Sequence, residues 1–107
     1  MNQFVVSDNR VDVDGNPAGG TCRGVGIDIV WQDGPLGRGE DRVEPNGAFV
    51  EGVILAAIDR IRFYQGSRFS CRENALALTK LEEALLWLNS RTARRDSAGV
   101  EGTHEGN

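Results

Sequence analysis

The spacing of apolar residues changes character at about Asn46. Before that point, between positions 24 and 32, apolar residues largely alternate with small or polar ones. The alternating apolar residues are Val25, Ile27, Ile29 and Trp31. A repeat of two residues is typical of a β-strand, so we predict a strand over residues 24–32 with one buried face.

Shorter segments complete the predicted sheet. Residues 4–6 and 10–13 are weaker strand candidates, and the run Asp14-Gly15-Asn16-Pro17 is typical of a turn. The glycines between positions 15 and 26 are interpreted as turn formers, because this segment lacks a phosphate-loop motif and precedes no helix. The stretch 36–44 is charged and glycine-rich, which predicts a mobile loop.

After Asn46 the apolar residues recur every three to four positions, which predicts an α-helix that ends near Gln65 and Gly66. Its apolar stripe consists of Val50, Val53, Ile54, Ala57, Ile58 and Ile61. Asn46 is a candidate N-cap, and Glu51 lies near the positive end of the helix dipole. Gly66 can adopt the left-handed conformation that ends many helices.

A second helix is predicted from about Cys71, because Ser70-Cys71-Arg72-Glu73 has the S-x-x-E form of a capping box. Its apolar residues are Leu76, Leu78, Leu81, Ala84, Leu85, Trp87 and Leu88. The connection of about five residues favours antiparallel packing of the two helices. We therefore predict an α+β fold in a single domain over residues 1–107: a small N-terminal antiparallel β-sheet (1–45), two long antiparallel C-terminal helices (46–96) and a tail (97–107).

Composition narrows the possible partners. The net charge of −4 argues against binding of DNA or RNA through a basic surface. Eleven of the twelve cationic residues are arginine, whose planar guanidinium suits phosphate, although coding bias in a GC-rich genome explains the same excess. A chain of 107 residues buries a modest core, so we expect an oligomer in which a subunit interface supplies further apolar burial.

Other sequence features predict a cytoplasmic protein. Cys22 and Cys71 match no metal-binding spacing and are expected to be free thiols in a reducing compartment. The N-terminus lacks the basic region and apolar stretch of a signal peptide. No run of about 18 apolar residues is present, so we expect no contact with a membrane.

The sequence does not predict an enzyme. The single histidine, His104, lies in the predicted tail, no G-x-S-x-G motif is present, and neither cysteine has a histidine nearby in sequence. Glu82 and Glu83 are expected to face solvent, because a metal site in a helical pair needs histidine or further inward-facing acids. We therefore expect no catalytic residue, no metal and no cofactor.

One mixed group of arginine, aromatic and polar residues surrounds the end of the first helix and the start of the second. Its members are Arg60, Arg62, Phe63, Tyr64, Arg68, Phe69, Arg72, Glu73 and Asn74. Aromatic rings can stack on a nucleobase, arginines can hold phosphate, and an asparagine can bind a base edge or a ribose hydroxyl. In the alternative interpretation, the three aromatic rings close the end of the core and bind nothing.

Several of these residues lie in motifs that resemble a known family. The motifs are Asn46-Gly47-Ala48, Val50-Glu51-x-Val53-Ile54, Asp59-Arg60-x-x-Phe63-Tyr64-Gln65, Arg72-Glu73-Asn74-Ala75-Leu76-Ala77-Leu78, Leu81-Glu82-Glu83-Ala84-Leu85-x-Trp87-Leu88, Arg91-Thr92 and Gly99-Val100-Glu101-Gly102-Thr103-His104. In order and spacing they resemble the phage Thoeris anti-defence family, in particular the sponges of its first type. The resemblance extends from Asn46 to His104, with weaker support over residues 27–35.

The resemblance implies a non-catalytic protein that sequesters a signal. Members hold the cyclic ADP-ribose isomers, such as glycocyclic ADP-ribose, that the TIR-domain protein of bacterial Thoeris defence produces. Some also hold cyclic trinucleotides of another defence pathway at separate sites. The implied assembly is a homodimer or hexamer whose ligand pockets are shared between protomers, and the implied location is the cytoplasm of the infected bacterial host.

The resemblance also implies roles for individual residues. The ring that stacks on adenine is Tyr64 or Phe63, the asparagine of the second helix is Asn74, and the late-helix arginine that meets phosphate is Arg91. Further expected ligand-binding residues are Arg42 or Arg38 of the loop before the first helix, Arg72, and Thr103 in a tail that closes over the ligand. The alternative function is a non-catalytic phage structural or adaptor protein whose helical pair binds another protein.

Overall fold

The computed structural model describes residues 5–97 and confirms the α+β class. In chain order it contains β1 (Val5–Val11), β2 (Pro17–Gly24), β3 (Ile27–Asp33), a 3-10 turn (Gly39–Asp41), α1 (Val50–Gln65) and α2 (Arg72–Ser97). The described residues fall into two compact units. We call residues 5–49 the sheet unit and residues 50–97 the hairpin unit.

The sheet unit is built on a three-stranded antiparallel sheet in the order β1-β2-β3. β1 is one continuous strand where the sequence predicted two short candidates, and residue 4 of the first candidate lies outside the described residues. The predicted turn between β1 and β2 is confirmed. There the carboxylate of Asp12 accepts hydrogen bonds from the backbone N–H groups of Asp14 (2.9 Å) and Asn16 (3.0 Å), which is the usual chemistry of an Asx turn.

The strand β2 corrects the interpretation of the glycines as turn formers. Gly15 and Gly26 do lie in turns with positive φ, but Gly19, Gly20 and Gly24 belong to β2. Gly20 is buried, has a φ of 134°, and passes so close to the backbone carbonyl of Asp8 that a side chain would collide with it. Glycine is therefore used here to bring two strands together, beside the irregular register of β1.

The strand β3 confirms the alternation and corrects its start. Ile27, Ile29 and Trp31 are half-buried, whereas Asp28 and Val30 between them are exposed. Val25 was predicted to share the buried face, but it lies in the turn before β3 and is 98% exposed. In the sequence the alternation starts at Val25 because Gly26, which follows it in the turn, is the small residue that the pattern allows at that position.

Asn46 does not cap the first helix, which begins four residues later at Val50. It binds the end of β3 instead: Oδ1 accepts from the Asp33 N–H (2.8 Å), Nδ2 donates to the Asp33 carbonyl (3.0 Å), and its own N–H donates to Gln32 Oε1 (2.8 Å). Ala48 adds two backbone hydrogen bonds to Val30 and Gln32. This segment thus pairs with the edge of β3. The prediction that Asn46 caps α1 is wrong, because its side chain forms these hydrogen bonds to β3 instead.

The segment 36–44, predicted as a mobile loop, is folded back on itself. Leu36 is buried, its carbonyl accepts a hydrogen bond from the Val43 N–H (2.7 Å), and the 3-10 turn lies between them. The composition of this segment is charged and glycine-rich, but its first residue is buried and a backbone hydrogen bond joins its two ends.

The hairpin unit consists of α1 and α2, which pack side by side after a connection over residues 66–71 that turns the chain back. Ile58 is the most buried apolar side chain of the described residues, at 1% exposure. The remaining stripe residues of α1 are half-buried except Val50, and Leu78, Leu81, Leu85 and Leu88 of α2 are half-buried. Leu76 and Trp87 were predicted to widen the stripe of α2, but both are exposed, because one partner helix covers only a narrow face.

The turn between the helices confirms the predicted helix boundaries but not their caps. α1 ends at Gln65, yet Gly66 does not adopt a positive φ, and its N–H bonds to the carbonyls of Arg62 and Phe63 instead. At the start of α2, Cys71 replaces Ser70 as the cap: its Sγ accepts the Asn74 N–H at 3.4 Å. The turn therefore ends α1 with tight backbone bonds rather than with a left-handed glycine.

Candidate ligand site at the turn of the hairpin

Arg60, Phe63 and Tyr64 form a contact group on the last turn of α1. Their spacing of three and four positions places them on one face of the helix. The guanidinium carbon of Arg60 lies 4.9 Å from the centre of the Phe63 ring and 5.0 Å from that of Tyr64. Arg60 Nε also donates a hydrogen bond to Tyr64 Oη at 3.1 Å. Cation–π attraction and this bond fix both rings relative to the guanidinium.

Two of the three aromatic rings at this end are not core side chains. Phe63 is 63% exposed and Phe69 is 62% exposed, while Tyr64 is half-buried. The alternative interpretation, in which all three rings close the core, is therefore wrong for the two phenylalanines. Rings exposed beside arginines are suited to stack on a planar ligand.

Polar side chains fix the backbone around the rings. Ser67 Oγ donates to the Tyr64 carbonyl at 2.6 Å and accepts the Phe69 N–H at 3.1 Å. Asn74 Nδ2 donates to the Phe69 carbonyl at 3.4 Å. Within residues 5–97, Asn74 Oδ1 has no hydrogen bond and can accept one from a base amine or a ribose hydroxyl. We call Arg60, Phe63, Tyr64, Phe69 and Asn74 the turn cluster.

Gln65 is a structural residue of this turn that the sequence analysis did not assign. Its side-chain amide makes two hydrogen bonds to the backbone of Cys71: Oε1 accepts the N–H at 3.0 Å, and Nε2 donates to the carbonyl at 3.1 Å. In the predicted capping box, the Glu73 side chain would instead bond to the backbone N–H of Ser70. The sequence signal for this role was weak: a glutamine ends one helix seven residues before the next helix begins.

The cations near the turn differ in what they contact. Arg68 lies 4.8 Å above the Phe69 ring, and Arg72 is exposed at the first position of α2. Arg62 is different, because its Nη2 pairs with Glu82 Oε2 at 3.2 Å across the two helices. Glu82 and Glu83 are both exposed, as predicted. Arg60, Arg68 and Arg72 thus face solvent near exposed rings without a carboxylate partner in the described part of the chain, which favours an anionic ligand with a planar group.

Metal-binding groups, free thiols and membrane-spanning helices were sought among the residues that the structure describes. Within residues 5–97, no three side chains of the metal-binding types are grouped closely enough to hold an ion. Cys22 and Cys71 are free thiols. Neither α1 nor α2 is apolar enough over a sufficient length to cross a bilayer.

Comparison with known proteins confirms the resemblance of the motifs. The family model of the Acb2/Tad1 hairpin domain matches residues 23–93. The chain belongs to the Acb2/Tad1 hairpin family. A relative from Bacillus phage SBSphiJ7, named Thoeris anti-defense 1, is 60% identical over 60 residues. That segment is 56% of this chain and 42% of the relative, so the chain matches less than half of that protein's length.

The Acb2/Tad1 match includes most of α2, from its first residue to residue 93, and the predicted ligand residues within it lie far apart. Arg91 is exposed and lies 17 residues beyond Asn74 in the same helix. At a rise of 1.5 Å per residue the two positions are about 25 Å apart. The structure therefore brings Tyr64, Phe63, Asn74 and Arg72 together around the turn, but it does not bring Arg91 to them within one chain.

The remaining predicted ligand residues of this Acb2/Tad1 chain lie outside the hairpin unit. Arg38 and Arg42 flank the 3-10 turn of the sheet unit, and both side chains already have interaction partners. One of these is the Gly37 carbonyl, to which Arg42 Nη1 donates at 3.5 Å. Thr103, with the rest of the motif from Gly99 to His104, lies outside the described residues.

A shallow groove between α1 and α2 was not predicted from the sequence. It has a volume of about 280 Å³ and lies away from the turn. Its lining residues are Leu55, Ile58, Arg62, Glu82, Leu85, Leu86 and Asn89. Four of the seven are aliphatic, so the groove suits an apolar side chain better than a nucleotide.

Proposed function

We propose that this chain is a phage anti-defence protein directed against bacterial Thoeris immunity. The observation that carries the proposal is the 60% identity over 60 residues to the phage protein named Thoeris anti-defense 1. The match of residues 23–93 to the Acb2/Tad1 hairpin domain supports it. Such a protein acts in the cytoplasm of the infected bacterial host. There it prevents a defence signal from reaching its effector.

The proposed mechanism is sequestration of a cyclic ADP-ribose isomer, with glycocyclic ADP-ribose as the expected ligand. The turn cluster supports this chemistry, because Phe63 or Tyr64 can stack on adenine and Asn74 Oδ1 can accept a hydrogen bond. The exposed arginines beside the rings can bind the pyrophosphate. Sequestration requires slow dissociation and needs no general acid, base or metal.

The proposed pocket is completed by a second copy of the chain. Arg91 is expected to contact the ligand but lies about 25 Å from Asn74 in its own helix. A second protomer would supply an Arg91 next to the turn cluster of the first. Exposed apolar side chains such as Trp87 (71%) and Leu86 support such an interface in a homodimer or hexamer.

The test of sequestration is the fate of the ligand. Purified protein is saturated with glycocyclic ADP-ribose and separated from free ligand. The complex is then denatured by heat, and the released material is analysed by chromatography. We expect the ligand to be recovered intact. Hydrolysed or linear product, above the level in a protein-free sample treated in the same way, would show that the protein is an enzyme.

The test of the site uses alanine variants in a calorimetric titration. Tyr64→Ala and Arg91→Ala should each weaken binding by about one to several kcal/mol, as expected for residues at the centre of an interface. Phe63→Ala decides which ring stacks on adenine. Arg94→Ala is the control, because it removes an exposed arginine from the same end of α2. Wild-type affinity in both Tyr64→Ala and Arg91→Ala would refute the site.

A second candidate function is an adaptor that binds another protein through its helices. The exposure of Trp87 and Leu86 favours this function as well. Thermal unfolding with and without ligand separates the two candidates. A tight ligand at 100 to 1,000 times its dissociation constant should raise stability by about 3–4 kcal/mol. No shift with glycocyclic ADP-ribose or with cyclic trinucleotides, the second ligand class of some relatives, would favour the adaptor.

A further inference from the structure

Arg60 combines a fixed position with an uncompensated charge. Its guanidinium is held beside Phe63 and Tyr64, and its hydrogen bond to Tyr64 uses only the Nε–H group. Among residues 5–97, no carboxylate forms an ion pair with Arg60, and no other hydrogen bond involves its side chain. Its two terminal nitrogens therefore present four N–H donors that have no partner in the described part of the chain.

Arg62, two residues later in the same helix, shows the opposite arrangement. Its Nη2 is bound to Glu82 at 3.2 Å, so its charge is partly neutralised and one of its terminal nitrogens already has a partner. Both arginines are exposed and both lie in the last turns of α1. Helix propensity and bulk charge are therefore the same for the two residues, and their local contacts alone distinguish them.

We infer that Arg60 is a ligand-binding residue that holds a phosphate oxygen of the nucleotide whose base stacks on the turn cluster. This inference rests on the proposed function and adds a residue to its site. Stacking on two rings has already restricted the side chain, so little rotamer entropy is lost when the ligand binds. The planar fork of Nη groups can then bind two phosphate oxygens at once.

The geometry also links base and phosphate recognition. Because Nε–H is bound to Tyr64 Oη, a shift of the Tyr64 ring moves the guanidinium, and a phosphate bound to Arg60 fixes the ring in turn. The distances of 4.9 and 5.0 Å to the two rings keep the charge within reach of a phosphate joined to a stacked nucleoside. Arg60 would therefore discriminate against uncharged nucleosides.

The test compares Arg60→Gln with the matched control Arg62→Gln. Each variant is titrated with glycocyclic ADP-ribose at low and at high sodium chloride. Loss of a charged hydrogen bond should lower the affinity of Arg60→Gln about 10-fold or more, and the affinity of this variant should depend less on salt than that of the wild type. Arg62→Gln should keep both the affinity and the salt dependence of the wild type. Arg60→Lys should have intermediate affinity, because it keeps the charge but loses the planar fork.

The outcomes separate this inference from the proposed function. If the wild type binds and Tyr64→Ala does not, but Arg60→Gln binds like the wild type, the role of Arg60 is refuted and the proposed function stands. If Arg60→Gln loses affinity with an unchanged salt dependence, Arg60 acts only through Tyr64, and the phosphate contact is refuted. If the wild type does not bind the ligand, both the inference and the proposed function fail.

Discussion

Different interactions stabilise the sheet unit and the hairpin unit: close backbone packing in the first, and side-chain contacts in the second. In the sheet unit, every side chain of β1 is exposed, and close packing depends on places where a side chain is missing, such as Gly20. In the hairpin unit, the contacts are made by side chains: Ile58 between the helices, and Gln65 and Ser67 in the turn. A substitution that adds atoms should therefore harm the sheet, and one that removes atoms should harm the hairpin.

The same difference explains why the groups that could bind a ligand are found in the hairpin unit. Rings, guanidinium groups and a free amide oxygen are gathered at the turn of the hairpin, where the backbone is fixed by side-chain hydrogen bonds. In the sheet, polar side chains mostly bond to neighbouring residues, as Arg23 does with Asp28 at 2.9 Å. The match to the Acb2/Tad1 hairpin domain includes all of the turn cluster but begins only at the end of β2.

The largest expected effect is at Ile58, the most buried side chain of the hairpin unit. Ile58→Ala removes three carbon atoms from a closed contact, and such changes cost about 2–5 kcal/mol. The free energy of unfolding is measured by chemical denaturation at fixed protein concentration, followed by circular dichroism. Leu55→Ala is the control, because Leu55 lies on the same helix but is 49% exposed. Equal losses in the two variants would show that Ile58 is not the centre of the hairpin contact.

The next effect tests the sheet unit by adding one methyl group. Gly20→Ala places a side chain at a φ of 134° and against the Asp8 carbonyl. The backbone conformation alone should cost about 1–3 kcal/mol. Gly52→Ala is the matched control, since Gly52 lies in α1 with open space around it and should gain about 1 kcal/mol. Thermal unfolding of both variants should shift in opposite directions, and a shared direction would contradict the comparison.

The secondary structure could be predicted where apolar side chains recur at regular spacing. It could not be predicted where close backbone packing determines the element. Apolar spacing was sufficient for α1, α2 and most of β3. β2 was missed because its sequence is PAGGTCRG, in which glycines permit close pairing but give no apolar repeat. Asn46 was assigned to the wrong element, because its side chain can bond to a helix start or to a strand end with the same chemistry.

Of the candidate site, the sequence could predict only the residues that lie close together in the chain around the turn. The spacing of Phe63, Tyr64 and Asn74 around a short turn predicts that they lie near one another. In the structure the rings of Phe63 and Tyr64 are 6.2 Å apart, and Asn74 binds the Phe69 carbonyl of the same turn. The hydrogen bonds of Arg60 and Gln65 could not be predicted from the sequence, because they depend on the side-chain rotamers that the turn permits. Arg91 is about 25 Å from Asn74 along the helix, so its expected ligand contact comes from the family resemblance and not from a pattern within one chain.

A smaller effect is expected at Gln65, which tests whether side chains fix the turn. Gln65→Ala removes two hydrogen bonds to the Cys71 backbone, each worth about 0.5–1.5 kcal/mol. Gln65→Glu should lose less, because a carboxylate can still accept the Cys71 N–H. The free energy of unfolding and the hydrogen exchange of the Cys71 amide provide the readout. An unchanged exchange rate in Gln65→Ala would mean that the backbone alone defines this turn.

The smallest expected effect is at the ion pair between Arg62 and Glu82, which joins the two helices in solvent. Their side chains are 56% and 47% exposed, so the attraction is screened and should contribute about 0.2–1 kcal/mol. A double-mutant cycle with Arg62→Gln and Glu82→Gln measures this coupling, which should decrease as salt is added. A coupling that is larger and independent of salt would mean that the pair is shielded from water. In that case the hairpin would be held by charge as well as by Ile58, and Arg62 would no longer serve as a neutral control for Arg60.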